Sequence, residues 1–530
     1  MNIYSPKTLH RTDSWEEFAC SPAIRPASVA GHSIAIRIFP LLPGDWRDIT
    51  RMNILFAASE AVPFVKSGGL ADVIGSLPAS LRHHHVDVRI ILPKYADIPQ
   101  HFRDQMETAS TFSVYLGWRN QYCGIQQLEV NGIHYYFVDN EFYFRRNGLY
   151  GYDDDAERFV YFSRAVLEAL PHLDFKPDII HCHDWQTGLI PYLLRRNYSA
   201  HPFYASIKTV FTIHNLRYQG RYNRKLMQDL LGIDDGMFAE GNGIEYYGDG
   251  NCMKAGLTHA DKVTTVSKTY AEEIKTAFFG EGMEGVLQER SHHGGLVGIL
   301  NGLDNEQFDP MNDPNLAEPY RNSLAKKRRN KSALQAELGL TVDERIPMIG
   351  LVSRLVDQKG LDLIQAVMDE IVALPLQLVV LGTGEGRFEH LFKDKAYWHS
   401  DKVSANITFS DGLSRKIYAA SDMFLMPSLF EPCGLGQLIA FRYRSVPIVR
   451  ETGGLKDTVI PFNAATGEGT GFTFYEYNAH EMLFAIKRAL EAYKDEAAWT
   501  AIIKNISKTD FGWEQSAKQY VALYKQVLGV

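Results

Sequence analysis

The chain has 530 residues, of which 45% are hydrophobic and 22% charged, and a formal net charge of −8. This length favours two large domains over a single core, and the composition is typical of a globular protein. The negative charge, without a strongly basic segment, argues against nucleic acid as a partner, and no apolar run reaches the roughly 18 residues of a membrane span.

The five cysteines are widely scattered along the chain, at Cys20, Cys123, Cys182, Cys252 and Cys433. An odd, scattered set is typical of reduced thiols rather than of a disulfide framework. No short apolar core follows a basic start, which disfavours a signal peptide. We therefore expect a cytoplasmic protein.

Residues 1–51 differ from the rest of the chain, because they mix Pro, Ser, Arg and isolated apolar residues without sustained periodicity. The acids Asp13, Glu16 and Glu17 make a poor transit peptide, since such segments avoid acids. A strand-like run begins at Met52. We interpret 1–51 as an extension outside the fold that has no functional role.

Residues 52–297 alternate strand-like and helical segments. This alternation predicts a parallel sheet with helices on both faces, and ligands of such sheets bind at the carboxyl ends of the strands. The predicted strands are 54–57, 88–92, 133–138, 178–182, 209–214 and 263–266, and helices between them include 70–82, 156–170 and 186–196.

A second alternating block covers 298–510. Its predicted strands are 348–352, 376–381, 407–410, 423–426 and 446–449, and a last helical segment, 513–528, follows it. The fold class is therefore α/β, with two Rossmann-like, doubly wound parallel-sheet domains at 52–297 and 298–510 that face each other across a cleft.

The stretch 427–457 carries the clearest functional pattern, because strand, glycine-bearing turn and helix occur there twice. Each turn leaves backbone N–H groups at a helix start, an arrangement that suits phosphate. The carboxylate of Glu431 stands at the first turn, where it would accept hydrogen bonds from hydroxyl groups. The combination predicts a site for a sugar nucleotide.

Nine motifs, in the same order along the chain, resemble those of the bacterial and plant glycogen and starch synthases, which are retaining glucosyltransferases with the GT-B fold. The motifs are KSGGLADV (66–73), HCHDWQTGL (181–189), FTIHNLRYQG (211–220), TTVSKTYAEEI (264–274), GMEGVL (282–287), NGLD (301–304), SRLVDQKGLDL (353–363), EPCGLGQL (431–438) and TGGLKDTV (452–459).

The resemblance implies four catalytic residues. Glu431 would hold the glucose hydroxyls, His214 would lie near the transferred sugar, and Arg354 and Lys359 would neutralise the distal diphosphate. It also implies that the C-terminal segment 511–530 is a helix that crosses back onto the N-terminal domain.

The remaining substrate contacts are implied by the same resemblance; all lie in these motifs except Tyr150, which lies in the tract GLYG (148–151), and Lys331. The resemblance assigns them to Lys66, Gly68, Gly69 and Asp72 in the first loop, Tyr150, Asp184 and Trp185 beside the sugar, Asn301 and Lys331 near the diphosphate, and Cys433, Gly434, Leu435, Thr452, Gly453 and Gly454 in the two glycine turns.

Two positions depart from the pattern of related enzymes. Many GT-B enzymes carry a second acid eight residues after the first, where this chain has Ile439, and many members of the synthase family have Thr where this chain has Gly436. The synthases commonly lack the second acid, so the departure leaves the resemblance intact; glycine at 436 would loosen the start of the following helix.

No metal or other cofactor is expected. Three adjacent Asp residues at 153–155 are typical of a solvated helix cap. The three consecutive histidines at 83–85 point in different directions, and the side chains of 181–183 alternate between the two sides of a strand end. Neither group is therefore expected to be a structural metal site.

We therefore expect transfer of glucose from ADP-glucose or UDP-glucose to an α-1,4-glucan acceptor. The alternatives are a sucrose synthase-like transferase, a glucan phosphorylase, for which no pyridoxal lysine motif is found, and a non-catalytic glucan-binding protein. An NAD-dependent dehydrogenase is disfavoured because no G-x-G-x-x-G opens a strand–helix unit. The motifs leave the nucleotide base open.

Overall fold

The computed structural model describes residues 51–239, 241 and 243–530, and the extension proposed for 1–51 lies outside them except for Arg51. Two mainly parallel sheets, each with its own hydrophobic core, account for most of the described chain. No helix among the described residues is long and apolar enough to cross a bilayer.

The N-terminal part contains a nine-stranded sheet and a small antiparallel sheet of three strands. Its strands are β1 (Met52–Ala57), β2 (Val86–Pro93), β3 (Glu107–Leu116), β4 (Arg119–Val130), β5 (Ile133–Asp139), β6 (Ile179–His183), β7 (Lys208–Ile213), β8 (Arg221–Tyr222), β9 (Glu245–Tyr246), β10 (Asp249–Asn251), β11 (Lys262–Thr265) and β12 (Leu296–Gly298).

The order of the large sheet is β12-β11-β7-β6-β1-β2-β5-β4-β3, and β8, β10 and β9 form the small one. Strand β1 pairs in parallel with β2 on one side and with β6 on the other. The strand order therefore reverses beside β1, and the carboxyl ends of β1 and β6 open the crevice in which doubly wound sheets bind ligands.

Helices cover both faces of this sheet. They are α1 (Gly69–Arg82), α2 (Gln100–Arg103), α3 (Glu141–Phe144), α4 (Asp155–Ala169), α5 (Leu189–Leu193), α6 (Arg224–Leu231), α7 (Asp235–Phe238), α8 (Cys252–His259), α9 (Lys268–Glu273) and α10 (Glu284–His292), with short turns of other helix types at Leu170–His172, Trp185–Thr187 and Leu194–Tyr198.

The C-terminal sheet has six parallel strands in the order β15-β14-β13-β16-β17-β18. They are β13 (Met348–Val352), β14 (Gln377–Leu381), β15 (Val403–Asn406), β16 (Met423–Met426), β17 (Val446–Arg450) and β18 (Phe472–Phe474). The order reverses between β13 and β16, which pair directly, so the loops that leave these two strands define its ligand crevice.

The helices of the C-terminal part surround this sheet. They are α11 (Leu324–Glu337), α12 (Leu361–Ala366), α13 (Met368–Ala373), α14 (Gly386–Trp398), α15 (Asp411–Ala420), α16 (Gly436–Arg442), α17 (Gly453–Thr458), α18 (Ala479–Lys494), α19 (Glu496–Ile506) and α20 (Trp513–Leu528), with a short 3-10 turn at Asp357–Lys359.

Helix α20 belongs to the core of the N-terminal sheet, although it follows the C-terminal one in sequence. Tyr520 and Tyr524 are buried in that core, and the Tyr524 hydroxyl lies 2.8 Å from Nδ1 of His181 on β6. The Ser516 hydroxyl donates to the carbonyl of Leu300. The end of the chain thus ties the two sheets together.

The α/β class is confirmed, but the secondary structure differs from prediction in several places, including the small sheet of β8, β9 and β10 and strand β12, which were not predicted. Residues 407–410 are not a strand: β15 ends at Asn406, and the Ser410 hydroxyl accepts from Leu413 N at the start of α15. The hairpin of β3 and β4 was not predicted, because one of its faces is solvated and its apolar pattern is weak.

The amine of Lys327 on α11 is buried and hydrogen-bonds the ends of two helices. Its Nζ donates to the carbonyls of Tyr418, Ala419 and Tyr443 at 3.1, 2.8 and 2.9 Å. The first two carbonyls end α15, and the third follows α16. Burial lowers the pKa of Lys327 to about 7, and its amine shares these carbonyls with the hydroxyls of Ser445 and Tyr320.

Replacing Lys327 by Met should lower the stability of the C-terminal part by about 1–3 kcal/mol, because it removes several buried hydrogen bonds worth roughly 0.5–1.5 kcal/mol each, while the hydroxyls of Ser445 and Tyr320 still donate to Tyr418 O and Tyr443 O. The matched control is Lys326→Met, because Lys326 is exposed and pairs with Glu318 at the surface, where such a pair contributes about 1 kcal/mol or less. Denaturant unfolding followed by fluorescence measures both; equal midpoints for the two variants would contradict the role of Lys327.

Candidate active site

A cavity of about 660 Å³ lies where the carboxyl edges of the two sheets face each other. Its lining comes from both halves of the described chain. On the N-terminal side it consists of Glu60, Ser67, Gly68, Gly69, Leu70, Tyr150, Gly151, Asp155, Asp184, Trp185, Gln186, His214, Asn215, Tyr218 and Val266, and on the C-terminal side of Asn301, Arg354, Gln358, Lys359, Glu431, Pro432, Cys433, Gly434 and Leu435.

Glu60 organises the loop between β1 and α1. It is 4% exposed, and its carboxylate accepts a short hydrogen bond from the backbone N–H of Ser67. Burial raises the pKa of Glu60, and the hydrogen bonds from the loop oppose that shift. Glu60 therefore holds Gly68 and Gly69 at the cavity wall, where their lack of side chains leaves the backbone open to a ligand.

Lys66 and Asp72, on the same loop, form an ion pair at 2.8 Å. Neither side chain lines the cavity. Burial raises the pKa of Asp72, while the Lys66 ammonium lowers it. Lys66 is therefore neutralised by Asp72 at the rim rather than directed into the site.

Asp184, at the end of β6, has a strained backbone, with φ of +57° and ψ of −179°, a region that is essentially restricted to glycine. Its Oδ1 accepts from the backbone N–H groups of His214 and Asn215 at 2.7 and 3.4 Å. Burial nevertheless raises the pKa of Asp184 to about 7. Strain and a perturbed carboxyl group in a cavity are both marks of a functional residue.

The His214 ring belongs to a buried chain of histidines. Its Nε2 lies 3.0 Å from Nδ1 of His183, and the next ring, His181, is hydrogen-bonded to Thr212 at 2.6 Å. Burial lowers the pKa of His214 to about 3. The imidazole is therefore neutral at physiological pH and acts as a polar wall, not as a cation.

Tyr150 and Trp185 form an aromatic wall beside Asp184. The Tyr150 hydroxyl lies 2.7 Å from the Ser59 hydroxyl, and Trp185 packs edge-on against Phe159 with ring centroids 5.0 Å apart. Aromatic faces next to carboxylates suit a sugar, whose C–H face and hydroxyl groups can be met together.

On the opposite wall, the loops that follow β13 and β16 meet at an ion pair. Nζ of Lys359 lies 2.6 Å from Oε2 of Glu431, and the Ser428 hydroxyl donates to the same oxygen at 3.0 Å. Within the part of the chain that the structure describes, no protein group hydrogen-bonds Oε1 of Glu431. One carboxylate oxygen is thus anchored, and the other is open to the cavity.

Arg354 is the open cation of this wall. Its side chain is exposed and makes no hydrogen bond or ion pair with the described residues, although it lines the cavity. Arg354 and the half-buried Lys359 place two cations on the C-terminal wall, where Lys359 is paired with Glu431, whereas the N-terminal wall carries the carboxyl groups of Glu60, Asp155 and Asp184.

The first glycine turn adjoins Glu431. Gly434 has φ of +73°, and the Gln437 side-chain amide donates to the carbonyls of Cys433 and Gly434 at 3.0 and 2.9 Å. Burial raises the pKa of the Cys433 thiol to about 12, which keeps it neutral. Oδ1 of Asn301 is buried at the cavity without a protein partner and remains available as an acceptor.

The second glycine turn lies outside the cavity lining. The hydroxyl of Thr452 and the N–H of Gly453 both donate to the carboxylate of Glu273. This turn was predicted to bind the substrate's phosphate, but in the structure the Gly453 N–H donates to a carboxylate from the N-terminal part, and the Gly454 N–H donates to the carbonyls of Glu431 and Pro432.

The predicted position of Lys331 beside the diphosphate is wrong. Lys331 is fully buried on α11, with its Nζ 2.8 Å from Oδ2 of Asp422 and 3.0 Å from the Tyr493 hydroxyl. Asp422 precedes β16, at the edge of the sheet opposite to the cavity. The ion pair fixes α11 to the sheet and leaves Lys331 no access to a substrate.

Eleven residues of the cavity lining were not among the predicted site residues; they are Glu60, Ser67, Leu70, Gly151, Asp155, Gln186, Asn215, Tyr218, Val266, Gln358 and Pro432. Glu60 lies three residues after the first strand, so the same strand-end rule that selected Asp184 could have found it. Gln186, whose Oε1 is buried without a partner, and Asn215 are neighbours of selected residues. Tyr218 carries no local signal of its own.

The two departures from the related motifs have structural explanations. A Cβ added to Gly436 would lie 3.1 Å from both Sδ of Met426 and Cε1 of Phe424, so a side chain there requires small shifts of both. Ile439 is buried in the core of the C-terminal sheet, where a carboxylate would have no partner.

Among the described residues, no three His, Cys, Asp or Glu side chains are grouped so that they could hold a metal ion. Two of the three adjacent Asp residues are paired: Asp154 with Arg146 and Asp155 with the buried Arg158. His84 pairs with Glu514 on α20.

The raised pKa of Asp184 predicts a pH-dependent gain in stability for Asp184→Asn. An ordinary Asp in the unfolded chain loses its proton near pH 4, whereas the folded protein retains it up to about pH 7. Wild-type stability should therefore fall as pH rises through this window, because the folded state binds the extra proton.

Asn cannot titrate, so the variant should lose this decrease and become more stable than the wild type above pH 7. Thermal unfolding at pH 5 and pH 8 measures the difference between the two proteins. Asp153→Asn, at an exposed position, is the control. A variant-to-wild-type difference that does not change with pH would contradict the assignment.

Two family models match the chain: "Starch synthase catalytic domain" over residues 53–289 and "Glycosyl transferases group 1" over residues 339–506. Glycogen synthase of Desulforamulus reducens is 52% identical over 478 residues, which covers 90% of this chain and 99% of that protein. Glycogen synthase of Anoxybacillus flavithermus is 53% identical over 478 residues, covering 90% and 98%.

Among solved structures, the catalytic domain of starch synthase IV from Arabidopsis thaliana, bound to ADP and acarbose, superposes with a TM-score of 0.83 at 35% identity, covering 90% of this chain and 99% of that one. Sucrose-phosphate synthase from Thermosynechococcus elongatus, with a TM-score of 0.58 at 18% identity over 90% of this chain and all of that one, shares the fold. The two facing doubly wound sheets and the matched motifs therefore have one explanation: the chain belongs to the glycogen and starch synthase family of GT-B glycosyltransferases.

Proposed function

We propose that this glycosyltransferase moves glucose from ADP-glucose or UDP-glucose to the non-reducing end of an α-1,4-glucan with retention of configuration. The observation that carries the proposal is that the two cavity walls carry different groups. Arg354, Lys359 and a glycine turn face Glu60, Asp184 and two aromatic rings. A nucleotide sugar needs the first wall for its diphosphate, and a neutral glucan needs the second.

On the donor side, the part of the chain from 298 to 510 would hold the nucleotide sugar. The unpaired guanidinium of Arg354 suits a diphosphate, because its planar donors match phosphate oxygens bidentately. Lys359 adds a second cation. Together they stabilise the negative charge that develops on the leaving diphosphate, which is the largest electrostatic demand of the reaction.

Glu431 would orient the transferred glucose. Both Lys359 and Ser428 bind Oε2, so Oε1 is left to accept hydrogen bonds from sugar hydroxyls. Asn301 and the neutral ring of His214 complete the polar surroundings of that sugar. The neutral thiol of Cys433 contributes packing and a weak hydrogen bond, not a nucleophile.

Retention is then achieved on one face of the sugar. The bond from the anomeric carbon to the phosphate oxygen breaks, and a bond to the acceptor hydroxyl oxygen forms on the same face. The acceptor proton passes to the leaving phosphate oxygen, so the phosphate serves as the base. The enzyme contributes orientation and charge stabilisation, and the carboxylate of Glu431 stays paired with Lys359.

On the acceptor side, the part from 52 to 297 would bind the end of the glucan chain. Glu60 and Asp184 offer carboxylate oxygens to hydroxyl groups, while Tyr150 and Trp185 offer aromatic faces. Helix 511–530 would keep this part attached to the donor side.

The nucleobase would bind near Phe409. This ring is 87% exposed and follows β15, at the same edge of the sheet as Arg354. The loop after β14 lies between them, since Leu355 N donates to Thr383 O and Gly382 N to Asn406 O. An exposed aromatic ring at the donor wall suits base stacking, which tolerates adenine and uracil alike.

ADP-glucose is the donor that the comparison favours, because the starch synthase IV structure was solved with ADP bound. We further propose a cytoplasmic protein, in keeping with the four described cysteines, all of which are free thiols. Nucleic acid and membranes are not expected partners, given the net charge of −8.

The test is a donor competition with labelled ADP-glucose and UDP-glucose and a glycogen primer. Label should enter the glucan as α-1,4-linked glucose, with one nucleotide preferred at least tenfold. Transfer to fructose instead of glucan would favour the sucrose synthase-like alternative, and the absence of transfer to either acceptor would refute the proposal.

Glu431→Gln should slow kcat by about ten- to a few-hundred-fold, because a hydrogen bond to a charged group is worth roughly 1.5–3 kcal/mol and each 1.36 kcal/mol is tenfold. Glu431→Ala should be slower still, and added azide should rescue neither variant. Glu451→Gln is the control, since Glu451 binds Thr473 outside the cavity. Azide rescue that yields β-glucosyl azide would instead identify Glu431 as a nucleophile.

Phe409→Ala should raise the KM for the donor about tenfold with little change in kcat, because stacking on a base is worth roughly 1–3 kcal/mol and is present equally in the ground and transition states. Phe409→Tyr should retain wild-type KM. Phe484→Ala removes another exposed ring, on α18, and should have no effect. An unchanged donor KM in Phe409→Ala would place the base elsewhere.

A further inference from the structure

The motif TTVSKTYAEEI, residues 264–274, matches the family but lies almost wholly outside the cavity lining. It forms the end of β11 and helix α9. Ser267, Tyr270 and Glu273 follow one another at intervals of three residues, so they lie on the same side of the helix. All three hydrogen-bond loops that adjoin the two walls of the cavity.

Each of the three side chains reaches a different loop. The Ser267 hydroxyl donates to the carbonyl of Pro432 at 2.6 Å. The Tyr270 hydroxyl accepts from Leu216 N at 3.2 Å, just after His214 and Asn215. Glu273 extends to the second glycine turn. Helix α9 therefore touches the loop behind each wall.

Glu273 makes the most extensive of these contacts. Its Oε1 accepts from the Thr452 hydroxyl at 2.9 Å and from Gly453 N at 3.0 Å, and its Oε2 lies 3.1 Å from the same N–H. Burial raises the pKa of Glu273, and the hydrogen bonds from Gly453 and Thr452 counteract this shift. A partly buried carboxylate is thus held by a turn that is 180 residues away in sequence.

That turn is in direct contact with the backbone of the sugar-binding carboxylate. Gly454 N donates to the carbonyls of Glu431 and Pro432 at 3.1 and 3.2 Å. A Cβ added to Gly453 would lie 2.0 Å from the carbonyl oxygen of Glu431, so no side chain fits between them. A displacement of the turn must therefore displace Glu431.

We propose that Glu273 is a positioning residue, which fixes the turn 452–454 against the N-terminal part and thereby holds Glu431 in register with the acceptor wall. The inference rests on the proposed function for its kinetic readout. Glu273 itself touches neither sugar nor phosphate, because it lies outside the cavity.

The variants that test this are Glu273→Ala, which removes the contact, and Glu273→Gln, which keeps an oxygen acceptor of the same shape without the charge. Glu272→Gln is the matched control: Glu272 is the neighbouring acid on α9, is exposed and pairs with Lys275. Hydrogen exchange of the segment 452–458 and steady-state transfer kinetics are measured for each protein in full-length form.

The expected result is faster amide exchange in 452–458 for Glu273→Ala, with the rest of the protein unchanged. kcat should fall by tenfold or more in that variant, by less in Glu273→Gln, and not in Glu272→Gln. A Thr452→Val variant combined with Glu273→Ala should add little to the loss, because both substitutions remove the same contact.

Three results would overturn the inference. The first is amide exchange and kcat at wild-type values in Glu273→Ala, and the second is an equal loss of kcat in Glu273→Gln and Glu272→Gln. The third is a lower donor KM in Glu273→Ala, which would mean that the carboxylate competes with substrate phosphate. If Glu273→Ala fails to fold, the isosteric Glu273→Gln supplies the same comparison. A wild-type protein without transfer activity refutes the proposed function, whereas the exchange measurement still decides whether Glu273 holds the turn.

Discussion

The ion pair between Lys359 and Glu431 joins the two loops that leave the C-terminal sheet where its strand order reverses. A buried pair of this kind gains little net stability, since the loss of hydration offsets much of the attraction. Its value is geometric. Gln358 strengthens the same junction through its side-chain amide, which donates to Phe430 O at 3.3 Å, and its carbonyl, which accepts from Leu429 N. The donor wall is consequently a single rigid unit built from two loops.

The acceptor wall is built differently, around a strained residue. Asp184 combines a glycine-like backbone conformation with a buried carboxyl group, and both lower the stability of the fold. Neighbouring N–H groups and the histidine chain behind His214 hold it in place. Glycine or asparagine would suit the backbone at this position better, so stability alone does not explain an acid here.

The general fold could be predicted from sequence because the central strands are buried on both faces and form continuous apolar runs, such as Ile54–Ala57 and Met423–Met426. Loops at the carboxyl ends of such strands are easily identified, which located Glu431, Asp184 and Arg354.

The prediction of a strand at 407–410 was wrong because its β-prone residues lead into a helix cap. The prediction for Lys331 was wrong because a lysine in a helix gives no sign of its burial. The contact of Glu273 with the second turn depends on tertiary packing and leaves no local pattern.

Helix α20 has a consequence for how the protein is made. Its tyrosines complete the core around β6, so the N-terminal sheet lacks part of its interior until the last segment of the chain has left the ribosome. The C-terminal sheet, by contrast, has all its strands and its own core before α20 is synthesised. During translation the C-terminal sheet can therefore finish folding first. The core of the N-terminal sheet is completed only when α20 packs against it.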